Sequence, residues 1–374
     1  MRPSKERTRP APQLDSRQRV QLVEAAIRAP SGDNCQPWQF RFAGNGVEID
    51  LLGERSESFF DFRHRGSLLS IGAVVENIRI QAACLGIDTD ISYPAGNGPG
   101  MPAAYIRLFD GLEPISSRRG RVAAALTRTV NRRPYLPIRI PIQKQEAWTA
   151  EPIEGTEVTI IEDRHAIGRW AWLTYLGDRI RWTHPRIHRE LFAKILFTRA
   201  EAESKRIGLE IDRLGAGPAA AAIMRYLAPW SRMQRLSRYN IDRLLAAQTR
   251  ALVHCAGALV LVTIAGHAPA EWIRAGEQVQ RLWVIAHEQG LCVQPLPVSM
   301  YLDQRFQEED VLNFMPTHLP LLRNMRSEFA SLLGDRIGAM IYRVGYGVRM
   351  KHPAVRLPAQ SFYAQTDEET RNGY

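Results

Sequence analysis

Cysteine is scarce in this chain. Its 374 residues hold four, Cys35, Cys84, Cys255 and Cys292, widely spaced and with no C-x-x-C pair. That pattern argues against a zinc ribbon or a disulfide scaffold and for free thiols, mostly buried. Long hydrophobic runs are missing too. The longest, residues 251–265, is interrupted by His254 and Thr263 and is too short to cross a bilayer. Its β-branched Val260, Val262 and Ile264 instead predict a buried strand starting near Ala258. Residues 1–19 are polar, basic and Pro-containing, without the apolar stretch of a secretory leader, so a cytoplasmic location is expected. There is no G-x-G-x-x-G after a strand, no G-x-x-x-x-G-K-[ST] and no G-x-S-x-G, which removes Rossmann, P-loop and serine-hydrolase chemistry. His184 and His188 lie four apart but lack the Glu of H-E-x-x-H, and no metal site is expected.

Lysine is the other shortage: Lys5, Lys144, Lys194, Lys205 and Lys351 are the only ones among 49 basic residues. The formal charge of +10 is therefore almost wholly arginine, and its distribution is uneven. Residues 179–243 carry 14 basic and six acidic side chains, most of the net charge of the molecule. Such a segment suits an anionic substrate, a membrane surface or nucleic acid, or is simply a solvated helical face. No nucleic-acid fold or aromatic-interleaved motif accompanies it, so no specific nucleic-acid partner is expected. With 45% hydrophobic and 24% charged residues the composition is that of a globular protein, large enough for two domains or one large one.

Two stretches share one pattern. Residues 72–86 and 275–291 each place apolar side chains at helical spacing, end on a glycine where a C-cap falls, and lead into strand-like sequence. They lie about 200 residues apart, far beyond solenoid repeats, and an internal duplication is the simplest account. A generic pair of amphipathic helices would give the same pattern.

The most specific stretch runs from Ala29 to Phe40, APSGDNCQPWQF. Residues 21–28 form a helical amphipath that Pro30 stops, and Ser31, Gly32, Asp33 and Asn34 ahead of Pro37 make a tight polar loop before a strand at residues 39–42. Loops of this kind present several N–H groups to a ligand. A second stretch, residues 127–135 (TRTVNRRPY), gathers Arg128, Arg132 and Arg133, whose guanidinium forks suit a phosphate.

The first stretch resembles the P-S-x-x-N-x-Q-P-W segment of flavin-dependent nitroreductases. The second is similar to the T-x-N-R-R-P-[FY] segment of their Acg-like branch, and the resemblance covers roughly residues 22–363. It implies an α+β nitroreductase-like fold with two pseudo-symmetric halves fused in one chain. The implied organisation is a basic flexible tail at 1–20, a first half at 21–120, and a second half at 121–374 that includes a basic helical lid insertion at 179–243. It also implies a monomer that acts as a pseudo-dimer.

The implied cofactor is FMN, with NADH or NADPH as possible electron donor. The cofactor-binding residues expected from the resemblance start with Pro30, Ser31, Gly32, Asn34 and Gln36 of the loop. Asn131 takes a serine position in the phosphate register and Arg133 the second cation. Thr129 stands where the first cation belongs, which leaves Arg128 or Arg132 to substitute. Arg356, in the closing R-L-P tail, adds a phosphate contact. The flavin-covering loop is Pro295, Leu296, Pro297 and Val298. Nitroreductases place Glu-Gly there and aim the glycine N–H at flavin N5, a hydrogen bond that Pro297 cannot donate and Val298 can. Gln248 is placed at the isoalloxazine edge.

Because the first half holds only the N-x-Q-P-W loop and the second only the phosphate cluster, one composite site between the halves is expected. The implied activity is an FMN-binding oxidoreductase that transfers hydride through N5 between a reduced nicotinamide or organic substrate and an acceptor; no catalytic side chain is assigned. The alternative is a flavin-sequestering Acg-like protein with little turnover, its flavin covered by Trp182, Tyr226 or Trp230.

Overall fold

The chain enters its fold at Asp15, whose side chain accepts a hydrogen bond from Gln18 N while Gln18 reaches back to Asp15 N, a reciprocal cap that starts α1 (Ser16–Ala26). The expected tail therefore gives way to helix at Ser16, and residues 1–13 lie outside the described ones. The structure, a computed structural model, describes residues 14–94, 102–111, 119–215, 217–308 and 311–364. After α1 come β1 (Trp38–Ala43) and β2 (Gly46–Leu51), joined by a two-residue turn in which Gly44 takes φ of 56°. Then follow α2 (Gly53–Ser56), α3 (Arg65–Cys84), β3 (Ile87–Ser92), β4 (Ala104–Asp110), α4 (Arg119–Thr127), α5 (Ile142–Thr149) and β5 (Thr156–Ile161). A mostly helical stretch intervenes: α6 (Arg164–Thr183), α7 (Pro185–Lys194), β6 (Ile195–Leu196), α8 (Arg199–Lys205), β7 (Leu209–Glu210), α9 (Pro218–Leu227), α10 (Trp230–Ser237) and α11 (Ile241–His254). The chain closes with β8 (Ala258–Ile264), α12 (Pro269–Glu288), β9 (Cys292–Pro295), α13 (Val298–Gln307), α14 (Leu319–Leu333) and β10 (Ile337–Gly345).

The long strands form two antiparallel four-stranded sheets, ordered β1-β2-β4-β3 and β5-β8-β10-β9. In each the spatial order is first, second, fourth, third, and in each a 20-residue helix, α3 or α12, leads from the second strand to the third. A glycine with positive φ follows each helix, Gly86 at 76° and Gly290 at 89°.

The two helices cross at their glycines. A Cβ on Gly72 would stand 1.9 Å from Ile273 O, and one on Gly276 would stand 2.1 Å from Leu69 O. Each glycine thus meets the carbonyl three residues before the other, the reciprocity of a two-fold contact. Beyond the crossing, Gln280 Nε2 donates to Asn77 Oδ1 (2.7 Å) and Arg281 donates to both carboxylate oxygens of Glu76 (3.0 and 3.2 Å).

One apolar core joins both sheets to α3 and α12, taking Phe40 and Ile49 from the first sheet and Val260, Val262 and Tyr342 from the second. The alternate residues of β8, Leu259 and Leu261, face a second core with α6, α13 and α14. That strand is buried on both faces, which is why it reads as an unbroken apolar run. Residue 120, the expected boundary, falls within α4. The last described segment also returns to the first sheet, where Tyr363 bridges Phe40 and Ala364 N donates to Phe40 O (2.9 Å). No helix among the described residues is long and apolar enough to cross a membrane.

Where α6 ends, His318 Nε2 meets Thr183 Oγ1 (2.9 Å) and its ring stacks on His184 at 5.6 Å between centroids. Burial, then the neighbouring His184 and Arg179, pulls the His318 imidazole down to about 4. The folded state therefore holds His318 neutral, and the unfolded chain takes up the proton first as pH falls. Stability is lost between about pH 6.5 and pH 4, roughly 2 kcal/mol of it by pH 5. Urea unfolding at pH 7 and pH 5 should give a smaller acid-induced loss in His318→Gln than in the parent; equal losses would remove His318 as the cause.

Candidate functional site

The loop after α1 is held open by contacts rather than by regular structure. Asp33, Asn34 and Gln36 all have positive φ, near 50–59°, a conformation that costs non-glycine residues about 1–3 kcal/mol and persists only where surroundings impose it. The surroundings are supplied from a distance in sequence. Arg356 donates to Ile27 O (2.9 Å), Ala29 O (3.0 Å) and Asn34 Oδ1 (2.5 Å). Asn34 Nδ2 donates to Val355 O (3.0 Å), and Gln36 Oε1 accepts from Leu357 N (3.0 Å). Gln36 Nε2 donates to Arg206 O (2.9 Å), tying the loop to the helical stretch as well. The Asn34 and Gln36 side chains therefore set the shape of the loop rather than extend from it.

This loop forms one wall of a cavity of about 530 Å³, within the range of small-molecule and cofactor sites. A second wall is the segment after α4, at Arg128 and Arg132. A third combines Val279 and Trp283 of α12 with Tyr342 of β10, and a fourth is the turn at residues 295–298 with Tyr301. The helical stretch covers the remaining side through α6, α7, α9 and α11, including Trp182, Ile187, Leu191, Met224 and Gln248. Of the residues expected from sequence, the cavity brings together all but Gln36, Asn131 and Arg133.

Asn131 is buried in the wall behind: its Nδ2 donates to Val348 O (2.8 Å) and Cys292 Sγ (3.0 Å), and its Oδ1 accepts from Arg133 N (3.0 Å). Arg133 likewise falls outside the cavity, with its carbonyl taken by Arg343 (2.9 Å). Trp182 lines the cavity, whereas Tyr226 and Trp230 do not. His184 and His188 serve neighbouring backbone, through Nε2 to Asn313 O (2.7 Å) and Leu227 O (3.1 Å). Among the described residues no group of three or more His, Cys, Asp or Glu is placed to hold a metal.

The electrostatics of the cavity are set by arginines, Arg128 buried and Arg132 and Arg356 partly buried. Arg128 is 5% exposed; it donates to Arg28 O (2.7 Å), lies over the Trp283 ring at 4.1 Å, and leaves its Nε buried without a partner. Arg132 donates to Arg213 O (3.0 Å). Burial pulls Arg128 and Arg132 down to about 10 and Arg356 to about 9, so all three stay charged at pH 7. None forms an ion pair with a carboxylate among the described residues. Lowered arginine values and a buried, unpartnered donor are the marks of a site shaped for an anion, since a buried charge without a counter-charge is costly.

The other charges are matched: Lys194 with Asp33 (3.1 Å), Arg213 with Glu210 (2.8 Å) and Arg181 with Asp178 (3.3 Å). Cys35 lines the cavity as an inert thiol, pushed up to about 12 by burial and then by Asp33 and Asp61. Trp283, Tyr342, Tyr301 and Arg181 were not singled out from sequence. Val279 and Trp283 lie four apart on α12, a helix-face spacing that places both on the same side, but nothing in the sequence says which side meets a ligand.

No protein-family model matches the chain. Over 314 residues, 83% of this chain and 43% of the relative, it is 26% identical to an uncharacterized protein of Mycobacterium tuberculosis. Over 172 residues, 46% of this chain and 51% of the relative, it is 27% identical to a second protein of that organism, named "Putative NAD(P)H nitroreductase acg". The chain thus matches about half the length of these curated relatives. A solved structure of a nitroreductase, named "putative", from Anabaena variabilis is similar at TM-score 0.47 and 10% identity over 90% of each chain. Structures of lower score include a nitroreductase with bound FMN and an FMN-dependent one in complex with NADPH. The chain is a distant homologue of the acg protein over about half its own length.

Proposed function

We propose that this distant homologue of a nitroreductase is an FMN-binding oxidoreductase with one cofactor per chain, held between two halves of duplicated origin under a helical lid. The observation that carries the reading is the buried Arg128, charged, without a carboxylate partner and with a free Nε, in the same cavity as Arg132 and Arg356. A phosphate monoester carries close to two negative charges and supplies the acceptors that these groups lack. Arg128 would hold the phosphate with help from the charge of Arg356, whose own N–H groups mostly clamp the loop. Trp283, Tyr342 and Val279 offer an apolar wall for a planar ring, and residues 295–298 the facing edge.

When bound, FMN supplies hydride transfer through its N5, and the protein supplies position and electrostatics. The turn at residues 295–298 has no donor at Pro297, so Val298 N–H, at the start of α13, is the backbone donor left to that edge. The lid residues Trp182, Ile187 and Leu191 exclude water from the other side, which strengthens every charge interaction inside.

The test is flavin content followed by reduction. Protein loaded with FMN and denatured should release about one FMN per chain; two per chain would refute a single composite site. Anaerobic addition of NADH or NADPH should then bleach the flavin. Trp182 on the lid and Pro297 in the turn favour the second reading, a flavin-sequestering protein, and that reading stands instead if neither nicotinamide reduces a fully loaded sample while dithionite does.

A further inference from the structure

The cavity is lined by two sets of cationic side chains, Arg128 with Arg356 and Arg132 with Arg181. Arg128 lies over Trp283 of α12, and it is the first of the charges, ahead of Arg28, Arg213 and the opposing Glu210, that Arg356 feels. Arg132 and Arg181, the latter a lid residue of α6 whose guanidinium lies 5.4 Å from the Trp182 ring centroid, both line the cavity, and after burial the Arg181 charge, ahead of the opposing Asp33, acts on Arg132. The Nε of Arg181 is buried without a partner although it lines the cavity, the same signature that Arg128 shows.

The charges differ in number. In the first set Arg128 and Arg356 are both uncompensated, which suits a dianion. In the second, Asp178 answers Arg181 and Asp33 answers Lys194, so the surplus is the single charge of Arg132. Arg132 spends one N–H on Arg213 O and makes no other hydrogen bond among the described residues. Trp182, beside Arg181, and Ile187, Leu191 and Met224 supply apolar surface to the same cavity.

We propose that Arg132 and Arg181 bind one carboxylate of the substrate, so that the substrate class is small organic acids presenting an apolar ring or double bond to the flavin. The proposal rests on the oxidoreductase reading for its chemistry but not for its binding. A carboxylate accepts from the free Nε of Arg181 and from the unused N–H groups of Arg132, and a neutral isostere leaves the Arg132 charge unanswered. Placing one of the two arginines on the lid makes the site complete only with α6 packed over the cavity.

The probe pair is benzoate and benzamide, equal in shape and different in charge. Titrated at constant ionic strength into FMN-loaded protein and followed by flavin absorbance, benzoate should bind at least 10-fold more tightly. Arg181→Gln should abolish that preference while leaving flavin content unchanged, and Arg181→Lys should keep it. Equal binding of the two probes by the parent protein would overturn the proposal. So would release of FMN by Arg181→Gln, which would put Arg181 on the phosphate. If the parent holds no flavin, the same titration is read by tryptophan fluorescence. A benzoate preference there upholds the acid site while the flavin reading fails, and no preference ends both.

Discussion

Arg128→Ala is expected to weaken FMN binding by roughly 10- to 100-fold, from about 1.5–3 kcal/mol for one hydrogen bond between charged groups. The expectation follows from a guanidinium that is 5% exposed, has no carboxylate partner and keeps an unpaired Nε. Riboflavin separates the two things Arg128 does. It lacks the phosphate, so its affinity should hardly change if Arg128 acts through charge. It should fall as far as that of FMN if the guanidinium chiefly packs Trp283. Isothermal titration of both ligands into parent and variant decides the matter, and unchanged FMN affinity would remove Arg128 from the site. Arg133→Ala serves as the comparison, because Arg133 lies outside the cavity and should keep FMN affinity close to that of the parent.

Gly276→Ala is expected to destabilise the chain by about 3 kcal/mol or more, lowering its melting temperature by several degrees. In an ordinary exposed helix interior the same change would stabilise by nearly 1 kcal/mol, because glycine is a poor helix former. Here the new methyl would stand 2.1 Å from the Leu69 carbonyl oxygen, and backbone cannot move aside as a flexible side chain could. Gly72→Ala meets the mirror of that clash at Ile273 O and should behave alike. Gly217→Ala, with nothing within 4 Å, is the control. If Gly276→Ala were as stable as the parent, α3 and α12 would not cross as closely as they do here. Because the cavity takes Leu69 from one helix and Val279 and Trp283 from the other, a forced separation should also lower flavin content at temperatures where the variant is still folded.

Local chemistry makes several features legible in the amino-acid sequence itself. The apolar run of β8, the glycine stops after α3 and α12, and the polar turn between α1 and β1 each depend on a few neighbouring residues. The similarity between residues 72–86 and 275–291 is likewise visible in the pattern, although the same pattern fits unrelated amphipathic helices. Pairing adds what no local stretch carries: both sheets have the order first, second, fourth, third.

The cluster at residues 127–135 shows the limit most directly. Sequence groups Arg128, Arg132 and Arg133 by their guanidinium chemistry, and the family resemblance adds Asn131 to the same phosphate-binding set. Backbone direction divides them, turning Arg128 and Arg132 into the cavity while Asn131 is held in the wall by Val348 O and Arg133 falls outside. The chain by itself determined which residue types and which turns were present, since propensity, capping and charge are properties of short stretches. Tertiary structure decided that Arg356 would shape a loop more than 300 residues before it, and that Arg128, Arg132, Arg181 and Arg356 would line one cavity. Burial and opposition of charges are long-range quantities, fixed only when distant segments pack together.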